Sequence, residues 1–297
     1  MTEQAAPLIP APGRLRRLLG GARARGFPWP AALFLAVVLI AALFGPALAP
    51  HDPLALNLGA AFHPPLWQKP GSAEFLLGTD NLGRDILSRI IAGARISVVV
   101  AFYAIAFSGG IGALIGMFAG YVGRAADAII MRIVDIQLSI PPLALALVLA
   151  AVLEPGLDTI IIVIVVTYWT WYARIIRGEI LSLRERDYVA LAKVAGCSTA
   201  TIFRRHLLPN IVNTLLVLAS LQVGQVIIFE ASLSFLGLGI QTPDVSWGLM
   251  LSDARGYITT AWWAITMPGI AIMLTCLSAN LMGDWLRDTL DPKRRQL

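Results

Sequence analysis

The sequence predicts an all-α polytopic membrane protein with six transmembrane helices. Three observations carry this. Of 297 residues, 57% are hydrophobic. Only 14% are charged, against about 25% in an ordinary soluble domain. Several apolar runs approach the ~20 residues that cross a hydrocarbon core as helix. They are continuous rather than alternating, which excludes the pattern of a membrane β-barrel.

The elements follow in order. Residues 1–27 form an arginine-bearing tail with Arg14, Arg16, Arg17, Arg23 and Arg25. The first span is expected over Trp29–Leu48. "PALA" near its end resembles a peptidase site, but "AALFLAVVLIAALF" is long for a signal core, so the span is read as an uncleaved anchor. Residues 50–94 are polar and Pro/Gly-punctuated, and 28–94 make one unit of anchor plus extracytoplasmic segment. The main membrane domain is expected over 95–286, with spans near Ile96–Gly120, Leu138–Leu153, Thr159–Ala173, Val212–Leu236 and Ala261–Met282. A short tail, 287–297, ends the chain.

Charge sets the expected orientation. With the N-terminus inside, the inner segments hold the five tail arginines together with Arg124, Arg132, Arg174, Arg177, Arg184, Arg186, Lys193, Arg204, Arg205, Arg287, Lys293, Arg294 and Arg295. The outer ones hold Lys69, Arg84, Arg89, Arg95 and Arg255. Lys and Arg concentrate on the cytoplasmic side of membrane proteins, so both termini are expected in the cytoplasm. The net charge of +5 reflects this bias rather than a nucleic-acid partner. Cys197 and Cys276 are expected on different levels of the membrane, which argues against a disulfide. Neither a CxxC nor a metal-ligand cluster is present.

Within the spans, Gly112, Gly116 and Gly120 recur every four residues on one helix face, where small residues let a second helix approach. Packing inside the chain is the first reading and a subunit contact the second. "LSIPPLALAL" puts Pro141 and Pro142 at the start of span three, which predicts a helix start with a kink there. Span five carries Gln222, Gln225 and Glu230 as a loose polar stripe. Two readings remain open for it: a lining of a translocation path, or glutamines bonded to neighbouring helices plus a helix-end glutamate bonded to backbone or Ser232. At the inner end of span six, Asp284 and Arg287 are spaced to pair.

Between spans four and five lies "DYVALAKVAGCSTATIFRRHLLPN", Asp187–Asn210. Leu181–Val194 reads as helix. Gly196 stops it as a left-handed residue would. Ser198 or Thr199 caps a second short helix, and Pro209 precedes span five. Two short helices meeting at a glycine make a compact protrusion, with small residues for close approach and Ile202, Phe203 and Leu207 as apolar side chains to insert. The rival is an amphipathic segment lying on lipid. The chain lacks a P-loop, since none of Lys69, Lys193 and Lys293 follows a glycine. It also lacks a buried line of acids and bases for proton relay. Energy for any pumping is therefore expected from another polypeptide, through the protrusion. An ion-coupled secondary transporter and a channel or structural subunit are the alternatives.

The same segment resembles the cytoplasmic loop of binding-protein-dependent ABC importer permeases, EAA-x3-G-x9-[IL]-x-LP. Ala192, Gly196 and Leu208-Pro209 match it. Ala190, Leu191 and His206 depart from it. "LLGTDNLGRDILSRIIAGARIS" (76–97), "EASLSFLGLGIQTPDVSWGLML" (230–251) and "GDWLRDTLDP" (283–292) are similar to the C-type permease subunit of dipeptide, oligopeptide and nickel importers. Trp285 stands where those relatives usually have a small residue. The resemblance spans about residues 28–292. It implies a type I ABC importer permease fold in the inner membrane. It implies as partners a B-type permease, two cytoplasmic ATPase subunits, an extracytoplasmic solute-binding protein and the bilayer. No cofactor is expected on this chain, and ATP and magnesium are expected on the ATPases. The loop 187–210 becomes the coupling segment, with Tyr188, Ala192, Gly196, Ser198, Phe203, Leu208 and Pro209 as candidate contacts. Peptides are the expected cargo; nickel, opines and sugars are the alternatives.

Overall fold

The computed structural model describes residues 26–290. The arginines of the first tail and the cations after Leu290 lie outside this range. The described chain is helical: α1 (Trp29–Leu48), α2 (Ile86–Val122), α3 (Arg124–Leu138), α4 (Pro142–Val152), α5 (Leu157–Leu183), α6 (Asp187–Val194), α7 (Thr199–Ile202), α8 (Leu208–Phe235), α9 (Trp247–Ala254) and α10 (Trp262–Leu290). The helices α1, α2, α5, α8 and α10 are long and apolar enough to cross a membrane. The bent pair α3–α4 completes six if counted as one span.

That pair corrects the expected third span. Instead of one helix over Leu138–Leu153, α3 and α4 meet at 89°. The cause is "IPP". Pro142 occupies the first turn of α4, where its missing N–H costs nothing, and Pro141 holds the extended backbone before it. At eleven residues, α4 is about 16 Å long, too short to cross alone. The preceding α3 is lashed to α5 by side chains. Asp127 accepts two bonds from Arg177, at 2.9 and 2.6 Å. Asp135 pairs with Arg174. Gln137 donates to Val166 O and accepts from Trp169 Nε1.

The glycine stripe packs inside the chain. A Cβ at Gly112 would lie 2.4 Å from Trp169 O, one at Gly116 2.5 Å from Ala173 O, and one at Gly120 2.9 Å from Ile180 Cγ2. The α2 and α5 backbones therefore touch along the stripe, and Tyr172, Ala173, Ile176 and Ile180 are buried there. A second small core lies at the far end of this contact. It joins Ala113, Met117, Ile176 and Ile180 to Val189, Ala192, Ile202, Leu207 and Ile211.

Candidate functional site

The protrusion is built on that second core. The expected helix over Leu181–Val194 is broken: α5 ends at Leu183, a turn follows, and α6 starts at Asp187. Arg184 steadies the turn by donating to Gly120 O at 2.9 Å. Gly196 has φ +75° with open space around it, so the left-handed backbone alone requires glycine. Cys197 N then bonds Ala192 O at 3.0 Å, closing the helix end. Ser198 caps α7, accepting from Thr201 N at 3.3 Å.

Pro209 does not separate this element from the next span. The chain runs as helix from Thr199 through a π-turn (Phe203–Leu207) into α8. There Leu208 N bonds Phe203 O, five residues back. The widened turn makes room for a proline ring where a regular helix would bring a carbonyl against it.

Burial sorts the side chains of the protrusion. Ile202 and Leu207, offered by their composition for insertion into a partner, are wholly buried in the chain's own core, and Ala192 packs beside them. Phe203 is half-buried and edge-on to Tyr121, 4.9 Å between ring centres. Lys193 Nζ lies over the Tyr121 ring, 5.3 Å from its centre. Exposed instead are Leu191 at 67%, Val194 at 87% and Tyr188 at 39%, with Gly196, Ser198, Leu208 and Pro209 also open. Leu191 and Val194 were not among the expected contacts. The signal existed in the sequence: Val189 and Ala192 are three apart, as are Leu191 and Val194, so α6 carries two apolar faces where a surface helix carries one. Arg186, Lys193, Arg204 and Arg205 of the same segment are exposed too, as are Glu185 and Asp187. The site is a knob with exposed apolar side chains, held to the bundle by its buried face.

The polar residues of span five do not share one environment. Gln222 is buried, Gln225 is exposed and Glu230 is fully enclosed. Glu230 Oε1 accepts from Ser234 Oγ at 2.8 Å, and Ser234 Oγ accepts in turn from Ile240 N at 3.1 Å. Ser232, the sequence candidate, turns its hydroxyl to Ile228 O instead. An apolar groove among α1, α2, α8 and α10, lined by Val38, Phe102, Ile105, Val223 and Ile227, takes in none of the three. Among the described residues, no three His, Cys, Asp or Glu side chains converge as metal ligands.

Comparison with known proteins adds three findings. Residues 112–296 match the family model described as "Binding-protein-dependent transport system inner membrane component". The di/tripeptide transport system permease protein DppC of Pseudomonas aeruginosa is 43% identical over 88% of this chain and 86% of its own length. The probable D,D-dipeptide transport system permease protein DdpC of Escherichia coli K12 is 42% identical over 88% and 86%. The dipeptide transport system permease protein DppC of the same strain is 42% identical over 89% and 88%. Among solved structures, an inward-facing form of the MetNI methionine ABC transporter superposes with a TM-score of 0.56. It covers 69% of this chain and 98% of that one at 18% identity, a likeness of fold.

Proposed function

The chain belongs to the binding-protein-dependent transport system inner membrane components, as a C-type permease of the dipeptide importer family, and from that premise we propose that it forms half of an ATP-driven import path for dipeptides or oligopeptides. It is a multi-pass inner-membrane protein. Its partners in this reading are a B-type permease, two ATPase subunits on the cytoplasmic face and a solute-binding protein outside. ATP and magnesium belong to the ATPases, and this chain carries no hydrolytic site of its own. Both termini and the knob face the cytoplasm, as the arginine and lysine distribution supports.

The carrying observation is the knob. A short helix exposes Leu191 and Val194 on one face, while its other face is buried in a core shared with α2, α5 and α8. An exposed apolar patch on a rigidly held element is the pattern of a protein–protein contact. Because the same element is rigidly packed on three spans, displacement of the knob tilts those spans. ATP closing the ATPase pair thereby shifts the permease pair between inward-open and outward-open states. A ligand biases such an equilibrium only through its different affinity for the two states. Cargo therefore binds the path weakly, and selectivity resides mainly in the binding protein. Within span five the burial pattern favours Gln225 as the member facing the path, with Glu230 serving the fold.

The dipeptide class rests on the relatives' names, and the experiment that tests it is uptake. The co-purified complex is reconstituted in liposomes with dipeptide-loaded binding protein outside. Accumulation that requires ATP is the expected result. Uptake by this chain alone on an ion gradient would instead establish a secondary transporter. A complete complex without ATP-dependent uptake of any solute would leave the structural-subunit reading.

A further inference from the structure

At the end of the bundle opposite the knob, α9 packs against α8 and α10 and is tied to α2 by polar bonds. On the α2 side the joint is ionic and buried. Asp253 Oδ2 accepts from Arg84 Nη2 at 2.9 Å and from Arg89 Nη2 at 3.2 Å. Behind the two guanidiniums, Asp80 takes Arg84 Nε at 2.6 Å and also pairs with Arg89 Nη1. Asp80, Arg84 and Arg89 are all buried, and Asp253 is the most exposed member. Trp247 adds a bond from Nε1 to Ile90 O at 2.9 Å, seated against Gly93. On the α8 side the contact is close packing. A Cβ at Gly248 would lie 2.6 Å from Ala231 Cα, and Ser252 Oγ donates to Phe235 O at 3.0 Å. The loop entering α9 is pinned by the Glu230–Ser234–Ile240 chain, and Ser246 caps the helix, accepting from Leu249 N at 3.1 Å.

The charges decide how this joint behaves. Two arginines face two aspartates, so the cluster is neutral only while Asp253 stays in place. Withdrawing α9 would leave one buried guanidinium charge without a counterion, and breaking a buried pair on one side is strongly unfavourable. The neighbouring carboxylate, Asp85, caps α2 through one oxygen, Oδ2, which accepts from Ser88 N at 2.9 Å and Ser88 Oγ at 2.6 Å. Nearby His51 faces Asp85 at 3.5 Å and adds no negative charge.

We propose that Asp253, with Arg84 and Arg89, is the positioning joint that fixes α9 to α2 throughout the transport cycle, so that the outer ends of α2, α8 and α9 turn as one body. This rests on the importer reading, in which that face is extracytoplasmic and receives the loaded binding protein. The arrival of cargo is then passed to the spans through a rigid surface rather than absorbed by a loose helix. Glu230 serves the same end from within α8.

The test uses the assembled complex in liposomes. Asp253→Asn, nearly isosteric but uncharged, is expected to keep assembly and basal ATP hydrolysis. It should reduce stimulation by the dipeptide-loaded binding protein about tenfold or more, and Asp253→Glu should restore most of it. A merely structural role would lower basal and stimulated hydrolysis together, with no selective rescue. In otherwise wild-type protein, spin labels at exposed Arg95 and Gly256 should report the same separation in nucleotide-free and ATP-bound states. Full stimulation of Asp253→Asn, parallel loss of both activities, or a label distance that changes with nucleotide overturns the proposal. If Asp253→Asn does not assemble, the label pair decides. A wild-type complex that loaded binding protein does not stimulate overturns the importer reading instead.

Discussion

Changing Leu191 and Val194 together to glutamate is expected to abolish cargo-stimulated ATP hydrolysis by the assembled complex while leaving the subunit folded. The two side chains are 67% and 87% exposed, so the substitution removes no core contact of this chain. Apolar anchors at the centre of an interface are worth about 2 kcal/mol or more each, and charges there must be desolvated without a partner. The double substitution is thus predicted to weaken docking by at least about a thousandfold. The measurement is stimulated hydrolysis beside size-exclusion of the purified subunit. Val189→Asp supplies the contrast. Val189 is on the same helix but wholly buried, and a carboxylate there should prevent folding itself. Normal stimulation in the double variant would remove the knob from the mechanism.

The other large effect is on the fold. Gly112→Ala or Gly116→Ala is expected to lower the melting temperature strongly, whereas Gly110→Ala on the same helix is expected to be neutral or mildly stabilising. The difference lies in what each added methyl group meets. At Gly112 and Gly116 it meets backbone carbonyl oxygens of Trp169 and Ala173 at 2.4 and 2.5 Å, and backbone cannot rotate away as a side chain can. At Gly110 nothing lies within 4 Å. Relief at the first two requires α2 and α5 to separate, which gives up the packing of Tyr172 and Ile176 along the whole seam. Overpacking of this kind costs on the order of 1–3 kcal/mol per site, and more where backbone is the obstacle. Thermal unfolding of the three detergent-purified variants compares them directly, and equal melting temperatures would contradict the close α2–α5 contact.

Much of this architecture was legible in the sequence, and the exceptions share a cause. Long apolar runs located five spans, because a membrane imposes length and apolarity on any helix that crosses it, but α2 starts ten residues before the expected Ile96 and α5 ends ten residues after the expected Ala173. The left-handed Gly196 and the Ser198 cap were readable because each is a local backbone demand, and the glycine stripe because its four-residue spacing marks one helix face. What remained hidden was direction. In the knob both the core-facing and the exposed positions are apolar, so composition does not say that Ile202 and Leu207 turn inward while Leu191 and Val194 turn out. "IPP" announced a break but not its 89° angle, which depends on the bonds tying α3 to α5. Glu230 looked like one member of a polar stripe. Its enclosure depends on Ser234 and on a loop whose return is set by tertiary packing. The partnership of Arg84 with Asp253 spans 169 positions, beyond any local pattern.

The account's central claim is that work done by a separate ATPase enters this subunit at the knob. A photo-crosslinking amino acid at position 194, in the complete complex in native-like membrane, tests it most directly. The predicted result is a covalent adduct with the ATP-hydrolysing subunit whose yield changes between nucleotide-free and ATP-bound states. Adducts to lipid alone, or to no nucleotide-hydrolysing subunit in any state, would contradict the claim.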